Sequence, residues 1–339
     1  MDNRPARAYP ASAMTPSPPR SLLARPEVLA TLCIAVTTLV RFWFVASGQL
    51  DLVQDEAQYW DWSRRLQIGY YSKGPLIAWV IHAGTWLAGD SELGVRLFAV
   101  AGSCLTQILL YLGVARLLHR PKAGLWVLIV ANTTPLFLAS GVLMTTDNPL
   151  LVCWLTALWC LHWAALSPSR RASWFVWLVF GLCLAVGTLA KYMMLTMVAV
   201  GLLHAWGLAR HKLLPRGHLA RLVLTSLVGA ALGMAPILAW NLSHDFAGFR
   251  HVATLAGVAA TKPAPLLRLD RFPEFLGGQL ALITPWWFWF LFLGAWQALR
   301  TAWVRVATPA PGPAPDRKCG PGAQAGSGGP ETACGLDRR

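Results

Sequence analysis

Two adjacent carboxylates, Asp55 and Glu56, are the residues of this chain whose position most strongly suggests catalysis. They follow the first long apolar stretch and open a segment rich in Tyr and Trp. A carboxylate can act as a general base toward an acceptor hydroxyl. On a helix the two side chains would point about 100° apart, because one turn takes about 3.6 residues. Both are candidate catalytic residues, but we expect them to serve different atoms: Asp55 faces a reacting group, while Glu56 binds a second group, pairs with a basic residue or favours a helix N-terminus.

A lysine follows in the segment Ser72-Lys73-Gly74-Pro75. The ammonium of Lys73 is a compact charge that suits a phosphate oxygen. The alternative is a lysine that extends its apolar stem along the membrane interface to keep its charge in water. Tyr59 and Tyr71 lie on either side of this stretch and are candidates for substrate contact, although aromatic residues also anchor proteins at membrane interfaces.

Five more ionisable residues complete the candidate substrate-binding set: Arg41, Arg96, Asp147, Lys191 and His244. Each is predicted near the end of an apolar helix, on the same side as the acidic pair. The three basic side chains Arg41, Arg96 and Lys191 could bind a lipid phosphate or simply extend to the interface. Asp147, directly before Asn148-Pro149, is equally compatible with ordinary helix capping. His244 opens a second outer loop, where it lines an acceptor path or positions the loop.

The composition places these residues at a membrane. The chain has 339 residues, of which 55% are hydrophobic and 13% charged, whereas soluble domains carry about 25% charged residues. The net charge of +14 does not indicate nucleic-acid binding, because most of the basic residues lie in short loops between apolar stretches. There they follow the rule that cytoplasmic loops are positive.

We predict an all-α integral membrane protein with about eight spans of about 20 apolar residues each. The spans are placed near residues 27–47, 93–115, 123–142, 149–166, 173–189, 192–208, 221–240 and 279–299. The basic short loops put the N-terminus in the cytoplasm and the long loops 48–92 and 241–278 in the periplasm. The apolar segment Leu76 to Ala88 is too short to span comfortably and is predicted as a short helix on the outer surface.

The two ends of the chain differ from this central region. Residues 1–26, rich in Pro, Ser and Arg, are predicted to be a disordered cytoplasmic tail, and residues 27–303 the transmembrane domain. Residues 304–339 are rich in Pro, Gly and Ala and form a low-complexity tail. Their composition is equally compatible with a genuine flexible tail and with translation in a shifted frame.

Several short motifs, in order, resemble one protein family. They include Gln54-Asp55-Glu56-Ala57-Gln58-Tyr59-Trp60, Gly69-Tyr70-Tyr71-Ser72-Lys73-Gly74-Pro75, Gly89-Asp90-Ser91-Glu92, Thr145-Thr146-Asp147-Asn148-Pro149, Leu189-Ala190-Lys191-Tyr192 and Trp240-Asn241-Leu242-Ser243-His244-Asp245. Each is weak alone, but together they are similar to the bacterial branch of the protein O-mannosyltransferase and lipid A aminoarabinose transferase superfamily, glycosyltransferase family 39 and its relatives. One departure is Gly74, where much of the superfamily has a second Pro or goes directly from Lys to Pro.

The resemblance implies a GT-C membrane fold and a sugar-transferase activity. Members of that family move a sugar from a polyprenyl-phosphate carrier to an acceptor on the outer membrane face. It implies that Asp55 is the general base, that Lys73 binds the phosphate, and that the acceptor is lipid A, a glycan or a protein. It also implies a bacterial inner-membrane location with a periplasmic site. No cofactor follows from the sequence, and a divalent cation stays open.

Two other functions remain open. A carrier or flippase for a polyprenyl-linked sugar would use the same phosphate-binding cations, but would be expected to show internal repeats or broken helices at matching positions. An inactive, truncated transferase is the other, because relatives continue with further membrane helices and the resemblance is to a family member that lacks its C-terminal part.

Overall fold

The computed structural model describes residues 25–166, 170–255 and 271–307, and in these ranges the regular structure is helical, without strands. The α-helices are α1 (Pro26–Ala46), α2 (Gln54–Ser63), α3 (Leu76–Ala88), α4 (Glu92–Leu112), α5 (Pro121–Thr133), α6 (Pro135–Ser140), α7 (Asp147–Leu166), α8 (Arg170–Ala190), α9 (Thr196–Arg210), α10 (His218–Ser243), α11 (Ala247–Leu255), α12 (Phe272–Ile283) and α13 (Pro285–Ala307). A π-helical turn (Gly113–Leu117) extends α4, and a 3-10 turn (Tyr192–Leu195) leads into α9. The predicted tails lie almost entirely outside the described residues.

Five helical stretches are long and apolar enough to cross a bilayer: Pro26–Ala46, Glu92–Leu117, Asp147–Leu166, Tyr192–Arg210 and His218–Ser243. The pair α12 and α13 passes the same test when its two members are counted together, which raises the number to six. The prediction of an all-α, multi-pass membrane protein is confirmed. The number eight stays a prediction.

Two of the predicted spans are broken. The span placed at 123–142 is divided into α5 and α6 at Thr134-Pro135, and the span placed at 279–299 is divided at Thr284-Pro285. In both places a proline follows the break. Proline lacks an N–H and pushes the residue before it out of the helical region, and Thr134 accordingly has an extended backbone, with φ −91° and ψ 122°.

The chain divides into two compact units, residues 1–288 and 289–339. In the first, α7, α8 and α10 enclose the largest apolar core, which includes the buried side chains of Trp177, Phe180, Leu184, Met194 and Leu222. Gly229 and Gly233 let α10 approach α8 closely, because a Cβ at either position would lie within 2.7 Å of an α8 carbonyl oxygen. In the second unit, the rings of Trp289 and Phe292, both on α13, stack on each other.

The predicted outer loop 48–92 contains two short helices. The bounds of α3 are those predicted for the surface helix, Leu76–Ala88, and α2 precedes it. A second apolar core joins these helices to α4 and to the turn before α7, and it is formed by Tyr59, Ile77, Ile81, Val95, Ala99 and Met144. The segment that carries the acidic pair is therefore fixed to the membrane helices at one end of the bundle.

Candidate active site

The first turn of α2 sends its two acidic side chains in different directions. Asp55 is exposed, whereas Glu56 is fully buried, at 0% exposure. Adjacent residues on a helix point about 100° apart, which accounts for this difference. Of the pair, only Asp55 has a carboxylate accessible from solvent.

Glu56 is the centre of a buried hydrogen-bond network. Its carboxylate accepts from Arg96 Nε at 3.0 Å and from Arg96 Nη2 at 2.6 Å. It also accepts from the backbone N–H of Met144 at 2.7 Å and from that of Val53, at the start of α2, at 3.2 Å. A buried carboxylate is tolerated when it is paired and fully hydrogen-bonded in this way.

Arg96 extends the same network to the loop before α2. It donates from Nη1 to the Leu50 carbonyl at 2.6 Å and from Nη2 to the Asp51 carbonyl at 2.9 Å. Four of its five N–H groups are thus used, and with 1% exposure the guanidinium is not accessible to a lipid phosphate at the surface. The expectations that Glu56 is catalytic and that Arg96 binds substrate do not fit this burial. Both residues hold the loop, α4 and the turn before α7 together.

Tyr59 lies one turn after Asp55 on the same face of α2. Its ring is buried at 2% exposure. Burial, followed by the nearby carboxylates of Asp55 and Asp147 and a hydrogen bond to Asp55, raises the pKa of Tyr59 to about 12. The phenol therefore keeps its proton at physiological pH and donates a hydrogen bond to the Asp55 carboxylate. Two acidic side chains from distant parts of the chain thus meet around one phenol.

Asp147, the first residue of α7, forms an ion pair with Lys191. The Lys191 Nζ lies 2.7 Å from Asp147 Oδ1, and both side chains are partly exposed, at 50% for Asp147 and 35% for Lys191. Lys191 stands between the end of α8 and the 3-10 turn. The ion pair therefore brings a cation to the cluster of Asp55, Tyr59 and Asp147, which we call the acidic cluster.

Lys73 reaches the same region through its neighbour Gly74. A Cβ on Gly74 would lie 2.0 Å from the Leu189 carbonyl oxygen, so the backbone before α3 is in direct contact with the end of α8. Leu189 is two residues before Lys191, so the contact brings the chain segment that carries Lys73 close to the segment that carries Lys191. Among the described residues, no carboxylate is paired with Lys73.

Tyr71 and His244 belong to a neighbouring surface formed with the end of α10 and with α11. The Tyr71 ring lies 4.5 Å from the ring of His251. His244 stacks on Trp240 at 4.1 Å, with its Nδ1 2.9 Å from the Trp240 carbonyl oxygen. Trp240 in turn donates to Gln67 Oε1 at 2.8 Å. These contacts join the two outer loops, and the remaining link from 256 to 270 lies outside the described residues.

Arg41 does not lie at the interface. Its side chain is buried, at 6% exposure, and donates to Ser103 on α4 and to Asn132 on α5. Side chains of a helix lean toward its N-terminus, and Arg41 is near the C-terminal end of α1, so it points into the bundle rather than out to water. The expectation that Arg41 binds a lipid phosphate at the surface does not fit this position.

Two residues of the site escaped the sequence reasoning. Asn148 donates to the carbonyls of Ala99 at 2.9 Å and Ser140 at 3.0 Å, and so fixes the start of α7 beside Asp147. Its signal was the Asp-Asn-Pro motif, which reads equally as ordinary capping. Gly74 was noted as a departure from the family pattern, but its contact with Leu189 could not be read from the sequence.

The acidic cluster offers the parts that displacement at a phosphate-linked carbon requires. Asp55 is an exposed carboxylate beside the buried phenol of Tyr59, and the Asp147–Lys191 ion pair brings a positive charge to the cluster. General-base and electrostatic catalysis need these groups within reach of one reacting centre. Within the described ranges, no group of three or more His, Cys, Asp or Glu side chains is placed to hold a metal ion.

Comparison with known proteins shows similarity to several glycosyltransferases. Residues 72–240 match the family described as dolichyl-phosphate-mannose-protein mannosyltransferase. The lipid A galacturonosyltransferase RgtD of Rhizobium johnstonii is 31% identical over 265 residues, which are 78% of this chain and 53% of RgtD. An undecaprenyl phosphate-alpha-4-amino-4-deoxy-L-arabinose arabinosyl transferase of Edwardsiella ictaluri is 25% identical over 199 residues, which are 55% of this chain and 36% of that enzyme.

The crystal structure of ArnT from Cupriavidus metallidurans in the apo state superposes with a TM-score of 0.55 and 17% identity, over 82% of this chain and 52% of ArnT. At this identity the likeness shows a shared fold. The chain spans about half the length of RgtD and of ArnT.

Helical architecture and structural likeness together define an all-α membrane protein of the GT-C class. In sequence the chain is similar to the protein mannosyltransferase family, to the lipid A galacturonosyltransferase RgtD and to the aminoarabinosyl transferases.

Proposed function

We propose that this protein transfers a sugar from a polyprenyl-phosphate carrier to an acceptor hydroxyl at the periplasmic face of the bacterial inner membrane. The observation that carries the proposal is the acidic cluster. An exposed carboxylate, Asp55, is oriented by the buried phenol of Tyr59, and the Asp147–Lys191 ion pair lies beside it. Sequence similarity to known glycosyltransferases supports the same chemistry.

In the proposed reaction, Asp55 takes the proton of the acceptor hydroxyl as its oxygen bonds to the sugar C1. The bond between C1 and the phosphate oxygen breaks, and polyprenyl phosphate leaves with the electron pair of that bond. Lys73 and Lys191 stabilise the negative charge that grows on the departing phosphate. Lys73 is better suited to this role, because Asp147 already neutralises much of the charge of Lys191.

The lipid part of the donor explains why these groups are at one end of the bundle. A polyprenyl carrier keeps its tail in the bilayer, and its phosphate lies at the membrane surface. Asp55, Asp147 and Lys191 all lie at helix ends, where apolar spans meet the surface. In the proposed arrangement the site and the donor phosphate therefore lie at the same depth.

The periplasmic orientation is supported by the charges at the opposite end of the bundle. Arg116, Arg120 and Lys122 follow α4, and Arg210, Lys212 and Arg216 follow α9. Positive short loops remain in the cytoplasm. To test this, Arg65→Cys and Lys122→Cys are placed singly in a chain without native cysteines; both positions are exposed. A membrane-impermeant thiol reagent added from the periplasm is expected to label position 65 only, and the reverse pattern would refute the orientation.

The names of the relatives guide the choice of donor and acceptor. RgtD is a lipid A galacturonosyltransferase and the others are aminoarabinosyl transferases. We therefore propose lipid A as the acceptor to test first, with a glycan or a protein as the other candidates. A uronic acid and an amino sugar carry opposite charges, so the two donors are distinguishable by one assay.

The experiment uses the purified full chain in lipid nanodiscs with either undecaprenyl-phosphate galacturonic acid or undecaprenyl-phosphate aminoarabinose, and with lipid A. Mass spectrometry measures modified lipid A and released undecaprenyl phosphate. The proposal expects both products in equal amounts with one of the donors. If neither donor is consumed under conditions in which RgtD is active, transferase activity of this chain on lipid A is refuted.

A further inference from the structure

A small cavity of about 10 Å³ lies between the helices of the bundle, and it is lined by none of the three residues of the acidic cluster. Its polar lining comes from α1, α4, the end of α6 and the start of α7, and consists of Arg41, Ser103, Thr106, Gln107, Ser140 and Asn148. A cavity of this volume has room for one molecule or ion of about the size of water. Ser103 is the twelfth residue of α4, about 16 Å from the helix start at 1.5 Å per residue, which is near the middle of a bilayer.

The cavity contains a positive charge without a counter-ion. Arg41 donates from Nη1 to Ser103 Oγ at 2.8 Å and from Nη2 to Asn132 Oδ1 at 2.9 Å. Both acceptors are neutral, and in the described part of the chain no carboxylate is paired with Arg41. An unpaired charge at this depth is costly, and intramembrane ionisable groups are normally paired.

Two further polar groups of the lining are buried and have no hydrogen-bond partner among the described residues: Gln107 Nε2 and Thr106 Oγ1. The orientation of the Gln107 amide is fixed by its oxygen, which accepts from Asn132 Nδ2 at 2.8 Å and from Thr37 Oγ1 at 3.1 Å. Its NH₂ group is thereby left as a donor. A guanidinium, an amide NH₂ and a hydroxyl thus line one space, and the last two have no hydrogen-bond partner among the described residues.

We propose that this cavity binds a small monovalent anion, such as chloride. An anion accepts from all three donors and neutralises Arg41, whereas a water molecule would satisfy the donors and leave the charge uncompensated. Chloride is slightly larger than water, so the lining must yield by a few tenths of an ångström. The inference stands on the bundle interior and does not depend on the proposed transferase reaction.

The bound anion would act as a structural ion for the site. Ser140 and Asn148 belong to the lining, and Asn148 donates to the Ser140 carbonyl at 3.0 Å. Gly141 packs directly against the Arg41 guanidinium, since a Cβ at that position would lie 2.7 Å from Arg41 Nε. Neutralising Arg41 therefore stabilises the turn that begins α7, next to Asp147.

Thermal unfolding of the purified full chain in detergent tests the proposal, with sodium chloride replaced by sodium gluconate at constant ionic strength. Gluconate is too large for the cavity. We expect chloride to raise the unfolding midpoint saturably, by about 2–4 °C, as ligands that bind only the folded state do. Bromide is expected to act like chloride.

The decisive variant is Gln107→Glu, which places a carboxylate of the same shape at the cavity as an internal counter-ion. Its midpoint should be independent of chloride, while the control Gln58→Glu, at an exposed position of α2, should keep the dependence of the parent chain. Equal midpoints in chloride and gluconate for the parent chain, or the same chloride dependence in Gln107→Glu, would overturn the proposal.

If Gln107→Glu does not fold, crystals of the parent chain grown in bromide decide the question. Anomalous scattering at the bromine edge is expected to give a peak within hydrogen-bond distance of Arg41 and Gln107. Density without anomalous signal would mean that the cavity holds only water, and the proposal would be wrong.

Discussion

The Lys191 ammonium lies 2.7 Å from a carboxylate oxygen of Asp147, so the residue that follows α8 is tied to the residue that begins α7. Both side chains remain partly exposed, and an exposed ion pair contributes at most about 1 kcal/mol to stability. The pair is therefore better understood as a regulator of charge at the site. The Asp147 carboxylate reduces the effective positive charge that Lys191 brings to the acidic cluster.

This relationship predicts opposite effects for two substitutions. Lys191→Met should raise the KM for the lipid donor, because it removes positive charge. Asp147→Asn should leave that KM unchanged or lower it, because it releases the Lys191 ammonium to bind phosphate. Steady-state kinetics with a fixed acceptor measures both. An equal rise of KM in the two variants would show that the ion pair acts only as a structural unit.

Asp55→Asn should reduce kcat by about 10² to 10⁴-fold, because an amide cannot take the acceptor proton. The protein should remain folded, since Asp55 is exposed. Asp61→Asn is the matched control, as it makes the same change at another exposed position of α2 and should keep its activity. Normal turnover in Asp55→Asn would remove this residue from the mechanism.

Lys73→Ala should weaken donor binding, whereas Lys73→Arg should retain part of it because the positive charge persists. Equilibrium binding of undecaprenyl phosphate to the chain in nanodiscs separates this effect from chemistry. Lys122→Ala, an exposed lysine at the opposite end of the bundle, is the control. Unchanged affinity in Lys73→Ala would favour a lysine that only reaches the membrane interface.

Glu56→Gln should destabilise the fold rather than change the chemistry. Breaking a buried ion pair from one side costs about 3–5 kcal/mol, and Glu56 accepts four hydrogen bonds from three parts of the chain. Thermal unfolding should show a large decrease of the midpoint, and Asp55→Asn, one residue away, should not. A Glu56→Gln variant with parental stability and no activity would restore Glu56 as a catalytic candidate.

Much of the fold was accessible from the sequence, because hydropathy over about 20 residues reports directly on burial in lipid. The bounds of α3 were predicted correctly for the same reason: thirteen apolar residues are too few for a span. The breaks at Thr134 and Thr284 were missed although Pro135 and Pro285 follow them. The prediction followed the apolar composition, which continues across both prolines, rather than the helix-breaking effect of proline.

The site was harder to predict, because its contacts join residues that are far apart in sequence. The family resemblance supplied Asp55, Lys73, Asp147 and Lys191 as candidates, but their roles remain predictions. The pairing of Glu56 with Arg96, 40 residues later, depends on how α2 packs against α4. Arg41 is a similar case. Its position near the end of α1 would let the side chain point either to the membrane surface or into the bundle, and only the packing against α4 and α5 decides between them.

Gly74→Ala should disturb the fold and the donor site together. The added Cβ would lie 2.0 Å from the Leu189 carbonyl oxygen and 2.7 Å from its carbon. Backbone atoms cannot move aside as a flexible side chain does, so the start of α3 must separate from the end of α8, at a cost of about 1–3 kcal/mol or more. Lys73 and Lys191 would move apart, and affinity for undecaprenyl phosphate should fall with stability. Gly207→Ala is the control, because its Cβ meets nothing within 4 Å and alanine is the better helix former; it should be neutral or slightly stabilising. If Gly74→Ala keeps the parental midpoint and affinity, the close contact with Leu189 does not hold the two lysines together.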